Sequence, residues 1–371
     1  MPTVSGHRWT ASEANAWWAR QDWICGVNFL PSKAVNFLEM WMQETFDRDT
    51  IARELRWASE VGFNALRVNL QFLVWKHDRD GLIERMTWFF ETASSLGMTT
   101  MPVLFDDCGF GGSKPSYGPQ PQPVDKIHNS RAVAPPGRAA VMERADWPDY
   151  RRYVQDIIFV FKDDSRVLLW DLYNEPGNLM IFTANGLYAE YDHALTEHSR
   201  DLMLAAFGWA REIAPSQPLT VAAWRTSPPG FAGPAYDNEI DRLALEYSDI
   251  ITFHAYCDRA HAEQHVNLLA AQGRPMLSTE WMAPPIDSKF ADQLGLYHNR
   301  KVGCFSWGLV KGRSQTYLPR PQMLEALHGD IVDENAWFHD VLWPDGRAYD
   351  EAEVKLISAL TASMTGVETG R

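Results

Sequence analysis

Two glutamates stand where short apolar runs end. The run VLLWDL leads into Tyr173-Asn174-Glu175-Pro176, and PMLST leads into Glu280-Trp281. Two carboxyls brought face to face can divide acid–base work. One, protonated, gives its proton to a departing oxygen. The other, ionised, attacks or stabilises an electron-poor carbon. Cleavage of a glycosidic bond needs such a pair. A gap of about 5–5.5 Å gives a covalent intermediate and retention, and a wider gap gives inversion. Spacing along the chain does not supply that distance. A lone Glu at a strand end is ordinarily a surface or salt-bridged residue. Two of them after apolar runs, one set between Asn and Pro, point to chemistry.

Other polar and aromatic groups end apolar runs in the same way. Arg67 and Asn69 close one run, and Asp106 and Asp107 follow another. Trp224 and Arg225, then His254 and Tyr256, then Trp307 follow three more. Something must bring these ends to one rim. Eight apolar runs, at 23–29, 65–70, 99–105, 167–172, 219–223, 249–254, 275–279 and 302–307, alternate with longer amphipathic stretches. In the stretch 49–61, Ile51, Leu55, Ala58 and Val61 share one helical face. Further helices are predicted over 86–96, 148–161, 193–213 and 351–360. Strands with continuous apolar bodies belong to a sheet buried on both faces. The pattern predicts an α/β fold, a (β/α)8 TIM barrel spanning 1–371 as a single catalytic domain, with long loops after strands three and eight. Such barrels carry their active sites at the C-terminal ends of the strands.

The segment Trp170-Asp171-Leu172-Tyr173-Asn174-Glu175-Pro176 resembles the Asn-Glu-Pro signature of clan A glycoside hydrolases, family 5 above all. Arg67 in LRVNL, His254-Ala255-Tyr256, Glu280 in STEW and Trp307 in FSWG fall in the order of that family's positions. The resemblance implies a retaining mechanism with Glu175 as acid/base and Glu280 as nucleophile. It implies that Asn174 binds the 2-hydroxyl of the reacting sugar, that Arg67 and Tyr256 hold Glu280 ionised, and that His254 contacts Glu175 or the sugar. Trp307 would form the stacking floor. Members of the family often carry a His in or just after strand three. Here that place holds Asp106-Asp107-Cys108, whose acids would either bind sugar hydroxyls or cap the loop. Protonation of Glu175 is expected to come from its nearness to ionised Glu280.

Bulk properties narrow the partners. The net charge of −14 is spread along the chain, which argues against nucleic acid and anionic membrane surfaces and fits an oligosaccharide substrate. The N-terminal residues lack the apolar core of an export signal, so a cytoplasmic location is expected. Cys25, Cys108, Cys257 and Cys304 form no CxxC pair and read as reduced thiols. His193 and His198 lack the i, i+4 spacing of a helical metal pair, and no metal or cofactor is expected. Gly109, Gly111 and Gly112 are followed by no Lys-Ser/Thr and allow a tight turn rather than a phosphate cradle. Oligomeric state is not legible.

The long stretch 106–146 and the segment 311–333 are expected to wall one end of a cleft into a pocket. That favours exo action on short β-linked oligosaccharides, mannosides first and glucosides second. An endo-acting glucanase, mannanase or xylanase and a non-hydrolytic carbohydrate-binding barrel are the competing expectations. A metal-dependent barrel hydrolase would need more strand-end histidines than His254 alone.

Overall fold

The computed structural model describes residues 6–112, 114–183, 187–226, 234–320 and 337–362. The strands are Cys25–Asn28 (β1), Ala65–Asn69 (β2), Thr99–Asp106 (β3), Trp170–Asn174 (β4), Met180–Phe182 (β5), Tyr188–Glu190 (β6), Leu219–Thr220 (β7), Ile251–His254 (β8), Met276–Trp281 (β9) and Gly303–Trp307 (β10). Eight of them form one sheet in the order β7-β4-β3-β2-β1-β10-β9-β8. Every pairing within it is parallel. The two ends of the sheet meet. Ala223 bridges Phe253 in parallel, its N–H reaching Thr252 O at 3.0 Å while His254 N–H reaches Ala223 O at 3.0 Å. The result is the expected (β/α)8 barrel.

The interior is layered. Ala65, Met101, Leu169, Leu277 and Phe305 pack as a buried apolar cluster with Ile24 and Ile250. Phe305 presses on β1 so closely that a Cβ at Gly26 would lie 2.5 Å from its ring. Only glycine fits there. Helix Ala11–Trp18 adds Ala14 and Trp17 to the same cluster and so covers that end of the barrel. A capping box starts this helix, with Glu13 N–H on Thr10 Oγ1 at 3.2 Å and Thr10 N–H on Glu13 Oε2 at 2.6 Å. Towards the C-terminal ends of the strands the inward side chains turn polar: Asn28, Arg67, Asp171, Asn174, His254 and Glu280.

The outer helices follow the predicted periodicity. Helix Arg48–Val61 buries Ile51, Leu55, Ala58 and Val61, is capped by Asp47, and ends at Gly62 with a left-handed φ of 106°. Among the described residues, no helix is long and apolar enough to cross a membrane.

Three features differ from expectation. The ladder of β4 runs to Asn174, so that Asn174 belongs to the strand and only Glu175 stands at its end. The fifth barrel strand pairs regularly only at Leu219–Thr220 before it loosens towards Ala223. An antiparallel hairpin, β5–β6, follows β4 where no period-two signal stands in the sequence. The stretch 106–146 is irregular as expected, except for a short helix at Arg138–Met142 and a 3-10 turn at Arg144–Asp146. Of the segment 311–333, residues 321–333 lie outside the described residues.

Candidate active site

A cavity of about 720 Å³ opens at the C-terminal ends of the strands. Asn28, Asn69, Asp106, Asn174, Glu175, Trp224, Tyr256, Glu280 and Trp307 all line it. The two glutamates face each other. One oxygen of Glu175, one of Glu280 and a ring nitrogen of His254 lie within 4.8 Å of one another. Glu175 is 7 % exposed and Glu280 5 % exposed, so both are nearly withdrawn from bulk water.

Glu175 owes its aim to an unusual backbone. Its φ is +45°, in the left-handed region that non-glycine residues seldom enter. The chain turns there, and Gly177 two residues on also has a positive φ of 76°. A Cβ on Gly177 would meet Arg225 Nη2 at 3.0 Å. The turn is pinned from below by Asp107 and from the side by Arg225: Gly177 N–H donates to Asp107 Oδ2 at 2.7 Å, and Arg225 Nη2 donates to Gly177 O at 2.6 Å. A strained residue at a strand end, fixed this firmly, is a common property of functional sites.

Beneath Glu280 sits Arg67, 1 % exposed. Its guanidinium donates to Asp171 Oδ2 through Nε at 3.0 Å and Nη2 at 2.7 Å, and to Asn174 Oδ1 at 2.6 Å. It also donates to Asn28 Oδ1 at 2.8 Å and to Glu280 Oε1 at 2.9 Å. Burial alone would lower the basicity of Arg67, but Asp171 and Glu280 reverse this and raise it. The cation is therefore permanent, and it pairs with the Glu280 carboxylate. Tyr256 donates its hydroxyl to Glu280 Oε2 at 2.9 Å. Each oxygen of Glu280 thus has a donor.

Glu175 is surrounded differently. His254 Nδ1 lies 2.8 Å from its Oε1. Oε2 receives Asn178 Nδ2 at 2.5 Å and the thiol of Cys108 at 3.0 Å. Burial would raise the Glu175 pKa, but the bond and charge of His254, with Cys108 and Asn178, push it down to about 2. The imidazole moves the opposite way: burial would depress His254, and Glu280 and Glu175 lift it above its ordinary value. Glu175 was expected to draw its proton from nearness to ionised Glu280; the group in hydrogen-bond contact with it is His254, close enough for the two to share a proton.

The predicted residues do not all face the cavity. Arg67 and His254 stand behind the carboxylates and act through them. Asp106 lines the cavity and also orients Asn174. It accepts Asn174 Nδ2 and Asn69 Nδ2, each at 2.9 Å, and Cys108 N–H at 2.7 Å. Burial raises Asp106 to about 7. Asp107 is different from what its neighbour suggests. It points away, taking Tyr173 Oη at 2.9 Å, Ser199 Oγ at 2.6 Å and the Gly177 N–H. Successive residues of a strand end point to opposite faces, so Asp107 braces the turn instead of meeting a sugar.

Several contributors were not foreseen. Asp171 and Asn28 are single polar residues inside apolar strand runs, which is the signal that could have revealed them. Asn178 and Cys108 lie in loops with no periodic pattern. His339 stacks on Trp307 with centroids 5.5 Å apart and an interplanar angle of 27°. Burial, then Arg320, lowers its pKa to about 3, so it is a neutral ring.

One side of the cavity is walled. The stretch after β3 contributes Phe110, His128, Asn129, Ala132 and Val133, and the segment after β10 contributes Arg320 and His339. These loops are stitched together. His128 Nδ1 meets Leu318 O at 2.7 Å, Gln315 Nε2 donates to Val124 O at 2.8 Å, and Lys126 N–H donates to Gln315 Oε1 at 3.1 Å. The loop after β1 joins them where Asn36 Nδ2 reaches Gln120 Oε1 at 2.9 Å and Arg131 O at 3.0 Å. The other side is formed by Trp224, Arg225, His193 and the exposed Tyr188 of β6.

The convergence of Glu175, His254 and Glu280 also places three metal-type donors together. Glu280 already carries the Arg67 cation, and His254 Nδ1 is engaged with Glu175. A second cation there would be repelled by the first and would have to break that bond.

No protein-family model matches the chain. No curated protein matches it in sequence. Solved structures do match. GH5_18 from Streptomyces cattleya, in complex with GlcNAc, superposes with a TM-score of 0.55 at 14% identity, over 94% of this chain and 82% of that one. This chain shares its fold. An exo-β-1,4-mannosidase from Opitutaceae bacterium strain TAV5 gives a TM-score of 0.57 at 16% identity, over 98% of this chain and 63% of that one. The endo-β-1,4-mannanase from Thermotoga petrophila gives 0.54 at 15% identity, over 95% and 79%.

Proposed function

We propose that the chain is a retaining β-glycosidase that removes single sugars, mannose first among them, from the ends of short β-linked oligosaccharides. The observation that carries the reading is the approach of Glu175 and Glu280 to within 4.8 Å across a cavity at the strand ends. An inverting pair leaves room for a water and stands at roughly 6.5–9.5 Å.

Glu280, ionised beside Arg67 and aligned by Tyr256, attacks the anomeric carbon. The bond to the leaving oxygen breaks as that oxygen takes the proton that Glu175 and His254 share. Water then enters on the Glu175 side. It loses a proton to Glu175 as it displaces Glu280 from the sugar. Asn174, fixed between Arg67 and Asp106, presents its amide to the sugar. Trp307, backed by His339, offers an apolar face to the ring.

Exo action is supported by the stitched wall. The leaving group lies beside Glu175, Trp224 and Arg225, so the sugar to be released lies towards Trp307 and the loops after β1, β3 and β10. Those loops close that side. Mannose is favoured over glucose because two of the matched structures are an exo-β-1,4-mannosidase and an endo-β-1,4-mannanase.

The test is a panel of p-nitrophenyl β-glycosides and short manno-, gluco- and xylo-oligosaccharides, with Glu175→Gln and Glu280→Gln alongside. We expect single mannose units, released first as the β-anomer, and none from Glu280→Gln. An α-anomer as first product would overturn retention. Internal cuts would overturn exo action. Absence of any turnover by the wild type would overturn the glycosidase.

A further inference from the structure

Cys108 occupies a place that the chemistry above does not use. It lies two residues past the end of β3 and is the only one of the four cysteines that lines the cavity. Its backbone N–H is tied to Asp106 Oδ1 at 2.7 Å, so the residue is fixed to the same carboxylate that holds Asn174. Its sulfur lies 3.0 Å from Glu175 Oε2, 3.5 Å from Asn174 Nδ2 and 3.4 Å from Asn178 Nδ2. The two amides donate to the sulfur, which leaves the S–H to point at the carboxylate. Asn178 Nδ2 donates to that same oxygen at 2.5 Å.

We propose that Cys108 is a positioning residue for the acid/base: its thiol donates to Glu175 Oε2 and, with Asn178, locks the carboxylate so that Oε1 stays on His254. The proposal rests on the reading of Glu175 as acid/base.

The thiol is suited to this place in two ways. It stays protonated. Burial, then the charges of Asp106, Glu175 and Glu280, push it well above the ordinary thiol range. A thiolate there would repel Glu175; a thiol donates to it. The S–H is also a weak donor. It steadies the carboxylate with less stabilisation of the anion than a hydroxyl or amide would give, and an acid catalyst must still be able to accept a proton. The other charged groups around the pair are His254 on β8, Glu280 on β9, Asp106 on β3 and Arg67 on β2. None of them is altered by changing Cys108.

The experiment compares wild type, Cys108→Ala, Cys108→Ser and Glu175→Ala on two substrates. 2,4-Dinitrophenyl β-mannoside has a leaving group that needs no proton. Phenyl β-mannoside has one that does. For Cys108→Ala we expect kcat/KM on the phenyl substrate to fall roughly tenfold, the size of one hydrogen bond to a charged group, and on the dinitrophenyl substrate less than about twofold. Cys108→Ser keeps an O–H donor and should restore most of the phenyl activity. Equal losses on both substrates in Cys108→Ala would overturn the proposal, because a general packing defect lowers both alike. Wild type that cleaves neither substrate would overturn the β-mannosidase reading and this proposal with it. Wild type that is active, with Glu175→Ala selective for the phenyl substrate and Cys108→Ala not, would overturn this proposal alone.

Discussion

His254 Nδ1 lies 2.8 Å from Glu175 Oε1, and the same nitrogen is 3.7 Å from Glu280 Oε2. The imidazole is thus placed between two carboxylates that would otherwise repel each other. Its pKa is raised while that of Glu175 falls to about 2. On the proposed mechanism the proton needed for leaving-group departure is shared across this contact, and the imidazole helps to retain it. In His254→Gln the proton must be held by Glu175 alone, so the basic limb of kcat/KM should move to lower pH. A pH–rate profile of wild type and variant checks this, and an unmoved limb would contradict it.

Arg67 is joined to Asp171 and Glu280 inside the barrel, away from solvent. Arg67→Lys keeps the charge but loses the planar fork that serves Asp171, Asn174, Asn28 and Glu280 together. We expect kcat to fall and stability to drop by about 1–3 kcal/mol for each buried acceptor left without a donor. Asp171→Asn should lower kcat without matching loss of affinity for sugar, because Asp171 does not line the cavity. Denaturant unfolding and steady-state kinetics separate the two effects.

Asp107 supports the turn that aims Glu175. Removing its carboxylate in Asp107→Ala leaves Tyr173, Ser199 and the Gly177 N–H without their acceptor. The expected cost is about 1–3 kcal/mol for each stranded buried donor that finds no water. Activity should fall on every substrate alike, the opposite of the selective loss expected for Cys108→Ala. A variant with unchanged melting temperature would count against the brace.

Glu54 and Asp340 are buried, and each is raised to about 7, by burial first, with the charge of Glu54 adding to the rise at Asp340. For an acid whose folded pKa exceeds its unfolded value, the stabilising contribution is complete below the unfolded pKa of about 4. It is lost as pH rises through the folded value. Stability should therefore decline between about pH 4 and 7. Asp340→Asn, which keeps an acceptor for Thr316, should flatten that decline. Thermal melts across the range test it, and an equally steep decline in the variant would refute it.

The wall can be loosened without touching the carboxylates. Gln315 bonds to the loop after β3 through both ends of its amide. Gln315→Ala should raise activity on mannotetraose relative to mannobiose, because the closed side gains room. An unchanged ratio, read by chromatography of products, would mean that the loops hold without these bonds.

The sequence was legible where burial writes a pattern. Continuous apolar runs marked the barrel strands, and the residues just past them, Glu175, Glu280, Asn174, Tyr256 and Trp307, do converge. Position along a strand was harder. Asp106 and Asp107 are adjacent and chemically alike, and only the alternation of the strand decides that the first meets the cavity and the second does not. The contact of His254 on β8 with Glu175 was expected only as one of two possibilities, because no one-dimensional spacing encodes that distance. Cys108, Asn178, His128 and His339 lie on loops, where no periodicity announces which way a side chain points.

The stitched wall has a further consequence for the order of events. On the proposed exo reading, the end sugar would lie towards that wall, with the rest of its chain between it and solvent. The shortened chain would then withdraw before the sugar could follow. No chain would be threaded forward and cut again without first letting go, so successive cleavages would be separate encounters.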